Sequence, residues 1–123
     1  MGDRAQVAIK KGADKVYLYG HWIGSDIYPA IGRALKRAPA RHRDSEYLAR
    51  IVLDEMKGND REETGFGIGV AKHGDIEHAI PVLDCASEKV SFEPGSYSPK
   101  TPASEYTFDE FSKRALAGDF SEF

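Results

Sequence analysis

The stretch from Ala5 to Trp22, AQVAIKKGADKVYLYGHW, decides how the rest of this chain is read. Ala5–Lys10 alternates, with Val7 and Ile9 on one face and Gln6, Ala8 and Lys10 on the other, the period of a half-buried strand. Lys11-Gly12-Ala13-Asp14 supplies turn residues, and Gly12 can take a positive φ. Lys15–Trp22 alternates again: Tyr17, Tyr19 and His21 fall on one side, and Val16, Leu18, Gly20 and Trp22 on the other. Two such runs joined by a tight turn read as a β-hairpin.

Beyond Ile23-Gly24 the period changes. Ser25 or Asp26 is placed to cap a helix, and Pro29 is tolerable in its first turn. Ile27, Ile31 and Leu35 are spaced by four, Ala30 and Ala34 widen the apolar stripe, and Pro39 ends it. A second helix is expected from Asp44 or Ser45 to about Lys57, with Leu48, Ile51, Val52, Leu53 and Met56 buried and Gly58 as its C-terminal cap. Strands then resume. Thr64–Lys72 alternates Phe66, Ile68 and Val70 with Gly65, Gly67, Gly69 and Ala71. His78–Asp84 is a further strand, and its Pro81, which lacks a ladder donor, argues for an edge or a bulge. Val90–Phe92 pairs with it across Cys85–Lys89. The proline-rich run Glu93–Ser104 reads as an irregular connection, and Thr107 with Glu110 has the capping-box spacing that opens a helix over Phe108–Leu116.

The order is ββααβββα: an α+β domain on an antiparallel sheet, with a central helical hairpin on one face and a short C-terminal helix. Residues 1–92 form the core domain; residues 93–123 form the connection and a helix that packs on the core or on a partner subunit. The 123 residues fit one domain, and 41% hydrophobic with 30% charged residues is the balance of a soluble globular protein. No apolar run reaches a membrane span and no signal-peptide core opens the chain, so a cytoplasmic protein without a membrane partner is expected. The single cysteine, Cys85, excludes an intrachain disulfide and fits a reducing compartment. Residues 1–50 carry a charge of +5 and residues 51–123 a charge of −8. Such a split implies electrostatic complementarity, within the fold or between copies.

If Val16, Leu18, Phe66, Ile68 and Val70 point at the helical hairpin, then Tyr17, Tyr19, His21, Gly65, Gly67 and Gly69 face the other way. Rings beside a glycine row make a flat, partly apolar surface for a base, a peptide, a second protomer or the chain's own C-terminal helix. The glycines are no dinucleotide loop, because the strand period continues and no helix follows. Gly24-Ser25-Asp26 opens a helix beside His21, an anion-binding geometry that Asp26 opposes. Arg33, Lys36, Arg37, Arg41 and Arg43 form a basic run without acidic residues, a candidate for nucleic-acid phosphates. His73-Gly74-Asp75-Ile76-Glu77-His78 offers four potential metal ligands in six residues, but on a presumed turn with no further ligand it reads as a solvated loop, and neither metal nor cofactor is expected. Cys85 has no histidine partner, and Asp84 and Glu88 raise its thiol pKa, so it is no nucleophile.

Gly2-Asp3-Arg4-Ala5, the run Val16-Tyr17-Leu18-Tyr19-Gly20-His21-Trp22-Ile23-Gly24-Ser25, Tyr47-Leu48-Ala49-Arg50-Ile51 and Glu63-Thr64-Gly65-Phe66-Gly67-Ile68 occur in this order. In that order and spacing they resemble a family of small uncharacterised proteins of bacteria, archaea and their viruses or mobile elements. The resemblance covers roughly residues 2–92 and brings no established activity. It implies a context, a small binder that interferes with or modifies a host component. Three functions are therefore expected in turn. The first is a non-enzymatic interaction module, a homodimer or a binder of a host protein or a nucleotide-like ligand, using Tyr17, Tyr19, His21, Gly65, Gly67 and Gly69. The second is a small phosphoester- or nucleotide-processing enzyme with His21 as general acid/base, Arg4 or Arg50 stabilising charge and Glu63 assisting. The third is nucleic-acid binding through Arg33–Arg43.

Overall fold

The structure, a computed structural model, describes residues 2–95, 105–120 and 123. Strands β1 (Ala5–Lys11) and β2 (Asp14–Gly20) form the expected hairpin, with Gly12 at φ +62° in its turn. Helices α1 (Ile27–Arg37) and α2 (Ser45–Lys57) follow, then β3 (Phe66–Gly69), β4 (Ile80–Asp84), β5 (Lys89–Glu93), β6 (Tyr106–Thr107) and α3 (Phe108–Leu116). The six strands lie in the order β3-β2-β1-β4-β5-β6. The fold is a helical hairpin and a C-terminal helix on a mostly antiparallel sheet, and β1 with β4 is its one parallel pair among the described residues.

That pair overturns the edge position expected for Pro81. β4 lies inside the sheet between β1 and β5, and Pro81 is buried. The Cys85 N–H donates to the Lys10 carbonyl, so the odd-numbered residues of β4 turn their backbone groups toward β1. Partners begin at Ala8 with Val82, so the missing Pro81 donor falls one step before the β1–β4 ladder starts. β3 is also shorter than the expected Thr64–Lys72. Pairing with β2 ends at Tyr17 with Gly69, and Val70 beyond it is 88% exposed.

The core lies between the sheet and the helices. Val7, Ile9 and Leu18 meet Ile27, Ile31 and Leu35 of α1 and Leu48, Val52 and Met56 of α2. A single 3-10 turn, Gly24–Asp26, leads into α1, and no side chain caps either α1 or α2. The capping box of α3 is complete: Thr107 Oγ1 accepts from the Glu110 N–H, and the Glu110 carboxylate accepts from the Thr107 N–H. α3 packs on α1 of the same chain, where Ser112 Oγ donates to the Gly32 carbonyl at 2.8 Å. Phe108, Phe111 and Ala115 thereby join the main core. The proline-rich connection falls on residues 96–104, outside the described residues.

Among the described residues no helix is long and apolar enough to cross a membrane. Cys85 is buried, and burial first, then the carboxylates of Asp84, Asp44 and Glu88, push its thiol up to about 11. Burial holds the Tyr28 phenol well above its ordinary value, and its hydroxyl donates to the Ala79 carbonyl at 2.8 Å. Both folded-state values exceed the unfolded ones, so the stability they contribute is intact below about pH 8.5 and is lost as pH rises through the folded values. Thermal melts between pH 7 and 11 are expected to show a falling midpoint above about pH 9. At pH 8 a disulfide reagent is expected to leave Cys85 unmodified until denaturant is added.

Candidate functional site

The alternation of β2 does separate two faces. Tyr17 and Tyr19 point away from the helices, and their partners Gly69 and Gly67 lie on the same side. The surface is nevertheless no open platform. β3 lies at one end of the sheet and β4 three strands away, so residues 70–79 must cross this face to connect them. They do so as a strap with one turn at Gly74-Asp75, not as the hairpin turn expected for His73–His78. Ile76, 1% exposed, plugs into Ala8, Tyr17, Ile80 and Val82. Gln6, buried in β1, ties the strap at both ends of its amide: Nε2 donates to the Ala71 carbonyl and Oε1 accepts from the His73 N–H. Tyr17 is sealed beneath, and its hydroxyl donates to Glu93 at 3.0 Å. Lys15 reaches the same carboxylate at 2.9 Å, and that hydrogen bond raises its pKa against the opposing effect of burial.

Polar side chains gather at the end of the sheet where β1 starts and β2 stops. The Asp3 N–H donates to the His21 carbonyl, the Gly24 N–H to the Asp3 carbonyl and the His21 N–H to the Gly65 carbonyl, each at 2.8 Å. This backbone stitching holds three segments side by side beyond the strand ends. The Glu77 N–H adds the strap, donating to the Arg4 carbonyl at 3.4 Å. Above this base, His21 Nδ1 lies 2.7 Å from the Tyr19 hydroxyl and 3.4 Å from Arg4 Nε. Arg4 can only donate, so Nδ1 is the acceptor in that contact. The Arg4 guanidinium also grips Asp75. His73 lies over Tyr19 with ring centroids 4.8 Å apart, and Trp22 meets His21 edge-on at 4.3 Å. Trp22 itself is 64% exposed.

Beside this group, His78 Nε2 lies 2.6 Å from Asp3 Oδ1, and the Glu77 carboxylate joins them. One ligand atom from each of the three lies within 4.8 Å of the others. Two glycines leave the room for this. Gly24 is at φ +52°, and a Cβ there would run into the Asp3 carboxylate; a Cβ on Gly95 would run into the His78 carbonyl. Sequence reasoning counted His73, Asp75, Glu77 and His78 as a set lacking a further ligand. The structure adds Asp3, a carboxylate 75 residues from His78 in the chain but brought beside Glu77 and His78, with Gly24 packed closely against it.

The residues expected for phosphoester chemistry are divided. Arg4 reaches His21, but Arg50 lies on α2, over the other face, paired with Asp54 at 2.7 Å. Glu63 is exposed in the loop before β3. The basic run is largely neutralised within the chain. Arg33 and Arg37 hold Glu55 at 3.0 and 3.2 Å, Arg41 holds Asp44 at 3.6 Å and Arg43 holds Glu88 at 2.9 Å. Lys36 lines a groove of about 550 Å³ between α1 and α3. No family model, curated protein or solved structure matches this chain.

The strap depends on its plug. Ile76→Ala is expected to cost about 2–4 kcal/mol in urea unfolding, and to open residues 70–79 to limited proteolysis, because the cavity lies beneath a segment with no helix or strand of its own.

Proposed function

We propose that this chain is a non-enzymatic interaction module that joins a second copy of itself by strand addition along β3. The observation that carries this reading is the state of that edge. Gly65–Ala71 contains no charged residue, no proline and no bulge, the devices that normally protect an edge strand. Ile68 and Val70 are 65% and 88% exposed. Because the His21 N–H donates to the Gly65 carbonyl, the alternation of an antiparallel ladder turns the odd-numbered glycines toward β2. The backbone groups of Phe66, Ile68 and Val70 therefore face outward. Gly67 and Gly69 have open space where side chains would stand.

A second copy suits this edge better than an unrelated peptide because its apolar row is self-complementary. In an antiparallel pair centred on Ile68, Phe66 faces Val70 of the other copy and Ile68 faces its own counterpart. Sedimentation or light scattering is expected to report a dimer at micromolar concentration. Ile68→Pro removes the outward donor while sparing the β2 ladder, and is expected to give a folded monomer. Leu116→Lys, on the exposed side of α3, is expected to leave the dimer intact. A wild-type monomer, or a dimer that survives Ile68→Pro, contradicts the reading.

A second reading rests on the exposed Trp22 beside Arg4 and His21. An indole, a guanidinium and an imidazole at one corner suit a ligand with a ring and a phosphate, a nucleotide-like molecule. Trp22 is the only tryptophan, so its fluorescence reports the corner alone. Quenching by a nucleoside monophosphate, weakened at least tenfold in Arg4→Gln, is the expected outcome; no quenching at millimolar ligand contradicts it.

A further inference from the structure

We infer that Asp3, Glu77 and His78 form a binding site for one divalent first-row transition-metal ion, of which zinc is the type. The argument begins with the donor set. Two carboxylates and an imidazole are a combination that suits zinc and its neighbours, whereas calcium and magnesium prefer oxygen alone. Zinc holds oxygen and nitrogen donors at about 2.0–2.2 Å, which sets tetrahedral ligand atoms roughly 3.4 Å apart. Here they lie between 2.6 Å, for His78 Nε2 and Asp3 Oδ1, and 4.8 Å, the bound on the whole set. Side-chain movements of about 1 Å bring all three onto one ion.

The backbones that carry these side chains are already fixed. Asp3 is held from both sides by its hydrogen bonds to His21 and Gly24, and Glu77 by its bond to Arg4. His78 is backed by Gly95, packed so closely against its carbonyl that no side chain fits between. Much of the entropy of gathering three ligands is therefore met by folding, as a preorganised site requires. The charge balance points the same way. Arg4, next to Asp3 in the chain, is turned onto Asp75 and His21, and the Glu77 carboxylate has no cationic partner among the described residues. A dication at this point would sit between two carboxylates.

The side chain of Asp3 is half exposed and that of His78 about a quarter exposed, so a bound ion would keep at least one position open to water. Three protein ligands and an open position is the arrangement of a site that can take a further ligand, in contrast to a closed structural site. The site lies on the same end of the sheet as Arg4, His21 and Trp22, which gives that further ligand a neighbourhood of donors and rings.

The test uses full-length protein purified without a polyhistidine tag, stripped with a chelator and titrated with zinc chloride by calorimetry at pH 7.5. One ion per chain with a dissociation constant in the micromolar range or tighter is expected, and a cobalt titration is expected to develop visible d–d absorption. Asp3→Asn and His78→Ala should each weaken zinc at least tenfold, with folding checked by circular dichroism. Glu77→Gln, a near-isosteric change on a half-buried carboxylate, should weaken zinc as well. His73→Ala, four residues before Glu77 but outside the set, should leave the affinity unchanged. Protons compete for the imidazole nitrogen, so affinity should fall as pH is lowered from 7.5 to 5.5. No heat and no cobalt spectrum, or binding that is indifferent to all three ligand variants, overturns the inference. Binding lost equally in His73→Ala relocates the ion and overturns it too.

Discussion

The parallel pairing of β1 with β4 is the interaction on which the rest of this structure depends. With β2 and β3 on one side of β1, β4 joins on the other side and the outer edge of β3 stays unpaired among the described residues. Because β4 runs in the same direction as β1, the chain has to return across the sheet before entering it. The helices already fill one face, so the crossing takes the other. From this single requirement come the burial of Tyr17 and Ile76, the docking of Gln6 into the strap and the arrival of Glu77 and His78 beside Asp3. A β4 at the sheet edge, as Pro81 suggested, would have left that face bare and these side chains apart.

What the amino-acid order made legible was local. The alternation in β2 separates Tyr17 and Tyr19 from Leu18 as expected, the four-residue spacing of Ile27, Ile31 and Leu35 marks α1, and the Thr107–Glu110 spacing is a formed capping box. What escaped was non-local. Nothing in Ile80–Asp84 says which strand it will flank, and a proline at the second position of a strand weighs against the interior until the ladder is known to begin one residue later. Likewise the presumed turn at His73–His78 had the right chemistry and the wrong place. Of the candidate residues, His21, Tyr19 and Arg4 come together because neighbouring strand ends carry them. Asp3 joins His78 through a contact that spans most of the core, and Arg50 is carried away on the opposite face.

The opposite charges of the two halves are spent inside the molecule. Arg33 and Arg37 of α1 reach across to Asp54 and Glu55 of α2, and Arg43 reaches Glu88 at the β4–β5 turn. His42 joins this seam, with Nε2 2.7 Å from the Leu35 carbonyl and its ring edge-on to Phe108. These pairs are exposed, so each contributes little to stability. Their collective effect is on what the surface offers: a basic run that would read as a phosphate-binding stripe becomes an alternating surface of both signs.

The crossing also has a temporal side. A nascent chain can close the β1–β2 hairpin within its first twenty residues, and then add the two helices in order. The far flank of β1 stays without its ladder until Asp84 has been made, more than seventy residues after Ala8. Half-synthesised molecules therefore hold an unsatisfied central strand, and that exposed ladder is available to other chains throughout the interval. The polar corner thus waits on the crossing: a product that stops before His78 lacks the residues that complete it.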